Sequence, residues 1–81
     1  MSNQEAVKRW TKDVSKLIVG RTITGFRYLS EKEQEDLGWY RAAPVLMLDD
    51  GNQIFASADD EGNDAGALFT TYESMQTIPV I

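Results

Sequence analysis

The sequence predicts a small α+β protein, in which an N-terminal amphipathic helix packs on a curled antiparallel sheet of four to five strands, a small half-barrel. Three observations predict this fold. Apolar residues recur at helical spacing over residues 3–19, short runs rich in β-branched and aromatic residues follow, and glycines separate these segments. A chain of 81 residues has room for a single domain, residues 1–81.

The N-terminal helix is predicted by a stripe of apolar residues that all fall on one side at 100° per residue. These residues are Ala6, Val7, Trp10, Val14, Leu17 and Ile18. Ser2 and Glu5 have the spacing of a capping box, in which each side chain accepts a hydrogen bond from the backbone N–H of the other residue. Gly20 is placed to end the helix because glycine accepts the left-handed conformation.

A second, short helix is predicted near residues 31–37. Ser30 precedes it as an N-cap residue, and Glu33 follows three positions later, which is again the capping-box spacing. Gly38 is placed to end this helix after about two turns.

One strand is predicted before this helix and one after it, and a third strand returns from a tight turn. Residues 21–29, "RTITGFRYL", are rich in β-branched and aromatic side chains, and Gly25 marks a bulge or a close backbone approach. The apolar run 45–48 meets the turn "DDGN" and returns through 54–58, which predicts a hairpin. Because residues 45–48 are all apolar, we expect their strand to lie in the interior of the sheet.

The last strands are predicted in "GALFTTY", residues 66–72, and "TIPVI", residues 77–81. Pro79 has no backbone N–H to donate, so the final strand is expected at an edge of the sheet. The same proline disfavours pairing of this edge with a second copy, so we expect a monomer rather than a dimer. The predicted core consists of Trp10, Phe26, Met47, Leu48, Ile54, Phe55, Leu68 and Phe69.

Composition excludes several kinds of chemistry. The chain contains no cysteine and no histidine, so disulfides, thiolate metal sites and serine–histidine or cysteine–histidine nucleophiles are impossible. No cofactor is expected.

The N-terminal residues have no apolar stretch typical of a signal peptide, and no segment reaches membrane length, which favours a cytoplasmic location. Thirteen acidic against eight basic residues argue against binding to a phosphate backbone.

Three sequence pieces resemble a family of small uncharacterised bacterial proteins. They are "LGW" (37–39), "LDDG" (48–51) and "SADDEGNDAGALF" (57–69), and the similarity extends over nearly the whole chain. The family pattern "DDEGNxAGALF" has Asp64 at its free position here, and its "LPVL"-like end is "IPVI" in this chain. The resemblance implies a compact α+β or small-barrel fold and implies no activity.

The acidic loop within the third piece could bind a divalent cation, because carboxylate and amide oxygens are the ligands that Ca²⁺ and Mg²⁺ prefer. Starting at Asp59, residues of ligand type fall at loop positions 1, 3 and 5, which are Asp59, Glu61 and Asn63. However, the helix–loop–helix calcium pattern requires glycine at position 6 and glutamate at position 12, where this chain has Asp64 and Thr70. The pattern therefore fails, and only a weak, non-standard Ca²⁺ or Mg²⁺ site at 59–64 stays open.

Two other interpretations of this loop are a catalytic carboxylate pair and a structural turn. Asp59 or Asp60 with Glu61 could divide the roles of acid and base, but adjacent residues on a turn rarely converge on one reacting atom. Asp and Asn side chains also accept hydrogen bonds from nearby backbone N–H groups, and Gly62 and Gly66 permit torsions closed to other residues. The structural interpretation is favoured, so no catalytic residue is assigned.

Charge is divided unevenly along the chain. Residues 1–21 carry five basic and two acidic side chains, whereas residues 22–81 carry three basic and eleven acidic ones. Lys8, Lys12 and Lys16 form a basic stripe on the predicted helix, which is either a solvated surface or a site for an anion or nucleic acid. The acidic body disfavours the second interpretation, because it repels phosphate over about 8–10 Å at physiological salt.

The segment "GWYR", residues 38–41, is a second candidate site. Trp39 and Tyr40 are consecutive, so on an extended backbone one can enter the core while the other stays near solvent beside Arg41. Exposed aromatic residues with arginine are enriched at binding hot spots. The alternative interpretation is that both aromatic residues simply cap the open end of the sheet.

From the sequence we therefore expect a small non-enzymatic domain that contacts an unidentified protein through an acidic, glycine-shaped loop. The candidate interaction surface consists of Asp59, Asp60, Glu61, Asn63, Trp39, Tyr40 and Arg41.

Overall fold

A computed structural model describes residues 3–57 and 66–81. The fold is α+β, with an N-terminal helix, a short second helix and a curled, open sheet of five antiparallel strands, as the sequence predicts. The strands lie in the order β1-β2-β3-β4-β5. The elements are α1 (Asn3–Ile18), β1 (Ile23–Tyr28), α2 (Glu31–Leu37), β2 (Pro44–Leu48), β3 (Gln53–Ala56), β4 (Leu68–Thr70) and β5 (Thr77–Ile78).

The capping box of α2 is confirmed, and that of α1 lies partly outside the described residues. The Ser30 hydroxyl accepts a hydrogen bond from the Glu33 backbone N–H at 3.2 Å, and Glu33 Oε1 accepts one from the Ser30 N–H at 2.7 Å. Gly38 ends the helix with a φ of 76°, where a side chain would be strained. Ser2, the predicted cap of α1, is not among the described residues.

The bulge predicted in β1 is also confirmed, because the register with β2 shifts between Ile23 and Gly25. A Cβ atom at Gly25 would lie only 3.1 Å from Sδ of Met47 on the neighbouring strand. Glycine therefore lets β1 and the Met47 side chain approach closely at this point.

Both predictions about strand positions hold. β2 pairs with β1 on one side and with β3 on the other, so it lies in the interior of the sheet. β5 is an edge strand, and Pro79 follows it directly. No helix in the described part of the chain is long and apolar enough to cross a membrane.

The predicted core is partly wrong. Leu48 and Ile54 are buried as predicted, but Phe26 and Leu68 are 56% and 38% exposed. Trp10, Met47, Phe55 and Phe69 are half-buried. The buried apolar residues of the described chain are Leu29, Val45, Leu48, Ile54 and Tyr72.

Candidate functional site

One face of the sheet is only half covered. Directly paired residues of antiparallel strands share a face, so Phe26, Leu46 and Ile54 lie side by side in one row across β1, β2 and β3. Ile54 is buried against α1, whereas Leu46 is 38% exposed and Phe26 is 56% exposed. The cover that α1 provides therefore ends before β1.

We call the uncovered part of this face the open half-face. Its side chains are all apolar or aromatic and exposed, and the strand register places them next to one another; they are Phe26, Tyr28, Pro44, Leu46, Ala56 and Leu68. Phe26 and Tyr28 form an edge-to-face ring pair, with centroids 5.3 Å apart. Contiguous exposed apolar patches are typical of contact surfaces, whereas exposed apolar side chains on monomers are usually scattered singly.

The C-terminal end of α1 is fixed on the sheet by packing and by hydrogen bonds. Leu17 and Ile18 pack against the buried cluster of β2, β3 and Tyr72. The Tyr72 hydroxyl donates a hydrogen bond to Asp50 Oδ2 at 2.6 Å in the β2–β3 turn, which lowers the pKa of Asp50. Arg21 Nε donates to the Leu17 carbonyl oxygen at 2.9 Å and lies 3.3 Å from Asp50 Oδ2. These contacts fix where the helix ends on the sheet.

The opposite face of the sheet carries an aromatic cluster. The ring of Trp39 lies parallel to that of Phe69, with centroids 6.0 Å apart, and meets Phe55 edge-on at 6.3 Å. Phe55 and Phe69 are direct partners on β3 and β4, and Val45, paired with Phe55 on β2, is completely buried. The segment that follows α2 therefore closes this face, while the open half-face lies on the other side of the same strands.

An ion pair joins α2 to the sheet on the covered side. Arg27 donates hydrogen bonds to both carboxylate oxygens of Glu33, at 2.8 and 3.0 Å, and to Oε1 of Gln53 at 2.8 Å. The hydrogen bond from Arg27, and then that from the Ser30 backbone N–H, lower the pKa of Glu33 to about 2. The guanidinium of Arg27 thus reaches across the sheet to Gln53, and its Nη1 also donates to the Tyr28 carbonyl oxygen at 3.2 Å.

This ion pair predicts a pH dependence of stability. Because the pKa of Glu33 is lower in the folded chain, its contribution is fully present above its ordinary value of 4.5 and is lost as the pH falls towards about 2. We expect Glu33→Gln to lower the urea midpoint at pH 7, and the difference from wild type to shrink between pH 4.5 and pH 2. Glu35→Gln, an exposed change on the same helix, is the control. A difference that stays constant over this range would contradict the assigned role of the ion pair.

The prediction that one of Trp39 and Tyr40 enters the core while the other stays near solvent is confirmed. Trp39 is half-buried in the aromatic cluster, and Tyr40 is completely exposed. Arg41 is exposed as well. This segment enters β2 at Pro44, which belongs to the open half-face, so Tyr40 lies four residues from that surface along the chain.

The acidic residues of the predicted interaction surface, Asp59, Asp60, Glu61 and Asn63, lie outside the described residues. The cation and structural interpretations of their loop therefore stay predictions. Within residues 3–57 and 66–81, no group of three or more acidic side chains is placed to hold a metal ion. The connection that contains these residues joins β3 to β4 next to Ala56 and Leu68 of the open half-face.

The basic stripe of α1 is accessible: Lys8, Lys12 and Lys16 are all exposed. Its use by an anion or a nucleic acid stays a prediction, because exposure fits a solvated surface equally well.

Comparisons of this chain with protein-family models, curated proteins and solved structures found no match. The resemblance of "LGW", "LDDG" and "SADDEGNDAGALF" to a family of small bacterial proteins therefore stays a prediction.

The open half-face was missed by sequence reasoning, which assigned Phe26 and Leu68 to the core. One signal could have identified it. The single apolar stripe of α1 spans 16 residues. The four longer strands present apolar side chains over more of this face than one helix can cover. An uncovered remainder follows from that excess.

Proposed function

We propose that this chain is a non-enzymatic protein-binding domain whose contact surface is the open half-face. The observation that carries the proposal is a continuous exposed apolar surface, in which Phe26 and Tyr28 on β1 are 56% and 59% exposed. The core of a protein–protein interface is enriched in aromatic residues and depleted of charge, and the side chains of this surface have that composition. The absence of histidine and cysteine from the sequence supports a binding role rather than a reaction.

The charge distribution supports a partner segment with apolar side chains flanked by Lys or Arg. Residues 22–81 carry eleven acidic and three basic side chains. Opposite charge around an apolar centre guides encounter and selects the partner more than it adds affinity.

We propose that the contact residues predicted from the sequence form a rim around the open half-face. The loop between β3 and β4 carries four carboxylates, and it connects two strands of the open half-face. Tyr40 is a fully exposed aromatic side chain on the segment that enters β2. We propose that both contact the basic flanks of the partner once its apolar residues cover the sheet.

The proposal is tested by selecting peptides from a random phage-displayed library on the immobilised protein. We expect the selected peptides to combine apolar residues with Lys or Arg, and to lose binding at least about tenfold to a chain with Leu46→Lys and Leu68→Lys, because buried charge and like-charge repulsion both oppose contact. The matched control is Val19→Lys, which places the same charge at another exposed apolar residue, beyond the end of α1. Circular dichroism checks that each variant is folded.

Two results would contradict this proposal. One is selection of peptides with acidic or purely polar sequences, and the other is equal binding of the selected peptides to wild type and to the double variant.

A further variant, with Asp60→Ala and Glu61→Ala, tests the contribution of the acidic loop separately from that of the open half-face. We expect it to weaken binding of basic-flanked peptides in a salt-dependent way, with less effect than the change at the open half-face.

A further inference from the structure

The outer edge of β1 is paired with no other strand among residues 3–57 and 66–81. β1 lies at one end of the sheet order, and its six residues make it the longest strand. The Leu29 N–H donates to the Ala43 carbonyl oxygen, and hydrogen-bonded positions alternate along an antiparallel ladder. The backbone groups of Arg27 therefore also face β2, and those of Phe26 and Tyr28 point outwards.

Natural edge strands are protected by proline, by charge or by bulges, and β1 has little of this protection. It contains no proline, in contrast to the other edge, where Pro79 follows the two-residue β5. Its only charged side chain, Arg27, is engaged by Glu33 and Gln53 across the covered face and also donates to the Tyr28 carbonyl oxygen at 3.2 Å. The central outward groups, the N–H and C=O of Phe26, take no part in this contact. The bulge lies at the N-terminal end of the strand and leaves Gly25 to Tyr28 in regular register.

We propose that β1 pairs antiparallel with β1 of a second copy, so that the two sheets join into one. The register centred on Phe26 is self-complementary: Phe26 faces Phe26 of the second copy on the open side, and Arg27 faces Gly25, which has no side chain. A register centred on Arg27 would instead set two guanidinium groups opposite each other, which is destabilising. A two-fold axis through this pair makes the same contact twice, as closed dimers require.

Sequence reasoning favoured a monomer because it considered only the edge with Pro79, and the edge formed by β1 removes that argument.

The dimer is tested by sedimentation equilibrium of the full chain over a concentration series that reaches the millimolar range. We expect the mass to rise from 9.1 kDa towards twice that value. Phe26→Pro removes the central outward N–H and should abolish the rise, while Phe26→Ala keeps this N–H and should weaken the dimer less. A constant monomer mass, or a rise unaffected by Phe26→Pro in a folded variant, would overturn the proposal.

A crosslinking experiment tests the register and does not require the proline variant to fold. The chain has no cysteine, so single cysteines can be introduced without background. In the proposed register the two Cα atoms at position 26 lie about 5.5 Å apart, within disulfide range, whereas those at position 28 lie ~14 Å apart. We expect oxidation to link Phe26→Cys into a dimer and to leave Tyr28→Cys monomeric. Equal linking of both variants, or linking of neither, would overturn the proposal, and neither result would affect the peptide test at Leu46 and Leu68.

Discussion

Replacing Trp39 by alanine is expected to lower the free energy of unfolding by about 3 kcal/mol, the lower end of the range for removing a large aromatic side chain from a core. The indole contacts Phe69 and Phe55 at centroid distances of 6.0 and 6.3 Å, and it closes the covered face of the sheet. A domain of this size has a stability of only a few kcal/mol to spare. Urea denaturation followed by circular dichroism measures the change.

Tyr40→Ala is the matched control for this variant, because it removes an aromatic ring from the next residue. Tyr40 is completely exposed, so we expect its removal to change the free energy of unfolding by less than about 0.5 kcal/mol. Equal effects of the two substitutions would contradict the assignment of Trp39 to the covered face and Tyr40 to solvent.

Replacing Ile54 by alanine is also expected to cost about 3 kcal/mol, because Ile54 is buried between the sheet and α1 and its loss leaves a cavity. Phe26 lies in the same row of the same face, two strands away, and has a larger side chain. We nevertheless expect Phe26→Ala to cost less than about 1 kcal/mol at low protein concentration, because the ring is 56% exposed.

The order of these two effects decides whether the face is half open. A larger loss for Phe26→Ala than for Ile54→Ala would mean that Phe26 belongs to the core, as its sequence context suggested. The same urea titrations give both values.

The secondary structure was predictable because its signals are local. The apolar stripe of α1, the capping box of Ser30 and Glu33, and the glycines at positions 20 and 38 each specify a helix or its end through nearby residues. The bulge at Gly25 was predictable for the same reason, since glycine inside an apolar strand marks a close approach.

Burial was less predictable, because it depends on which part of the sheet is covered by α1. Phe26 and Leu68 have the apolar character of core residues, yet α1 is directed to β2, β3 and Tyr72 by contacts that are distant in sequence. The Asp50–Tyr72 hydrogen bond joins residues 22 positions apart, and no periodicity reveals it. The candidate site was therefore predictable only in part: the sequence indicated that one of Trp39 and Tyr40 stays near solvent, but it did not indicate which one.

The most direct test of the open half-face as a contact surface is a backbone amide shift titration with the tightest basic-flanked peptide selected from the library. We predict that saturable shifts appear at Phe26, Tyr28, Leu46 and Leu68 and that they disappear in the Leu46→Lys, Leu68→Lys chain. Shifts confined to the basic stripe of Lys8, Lys12 and Lys16, with the open half-face unchanged, would contradict the account.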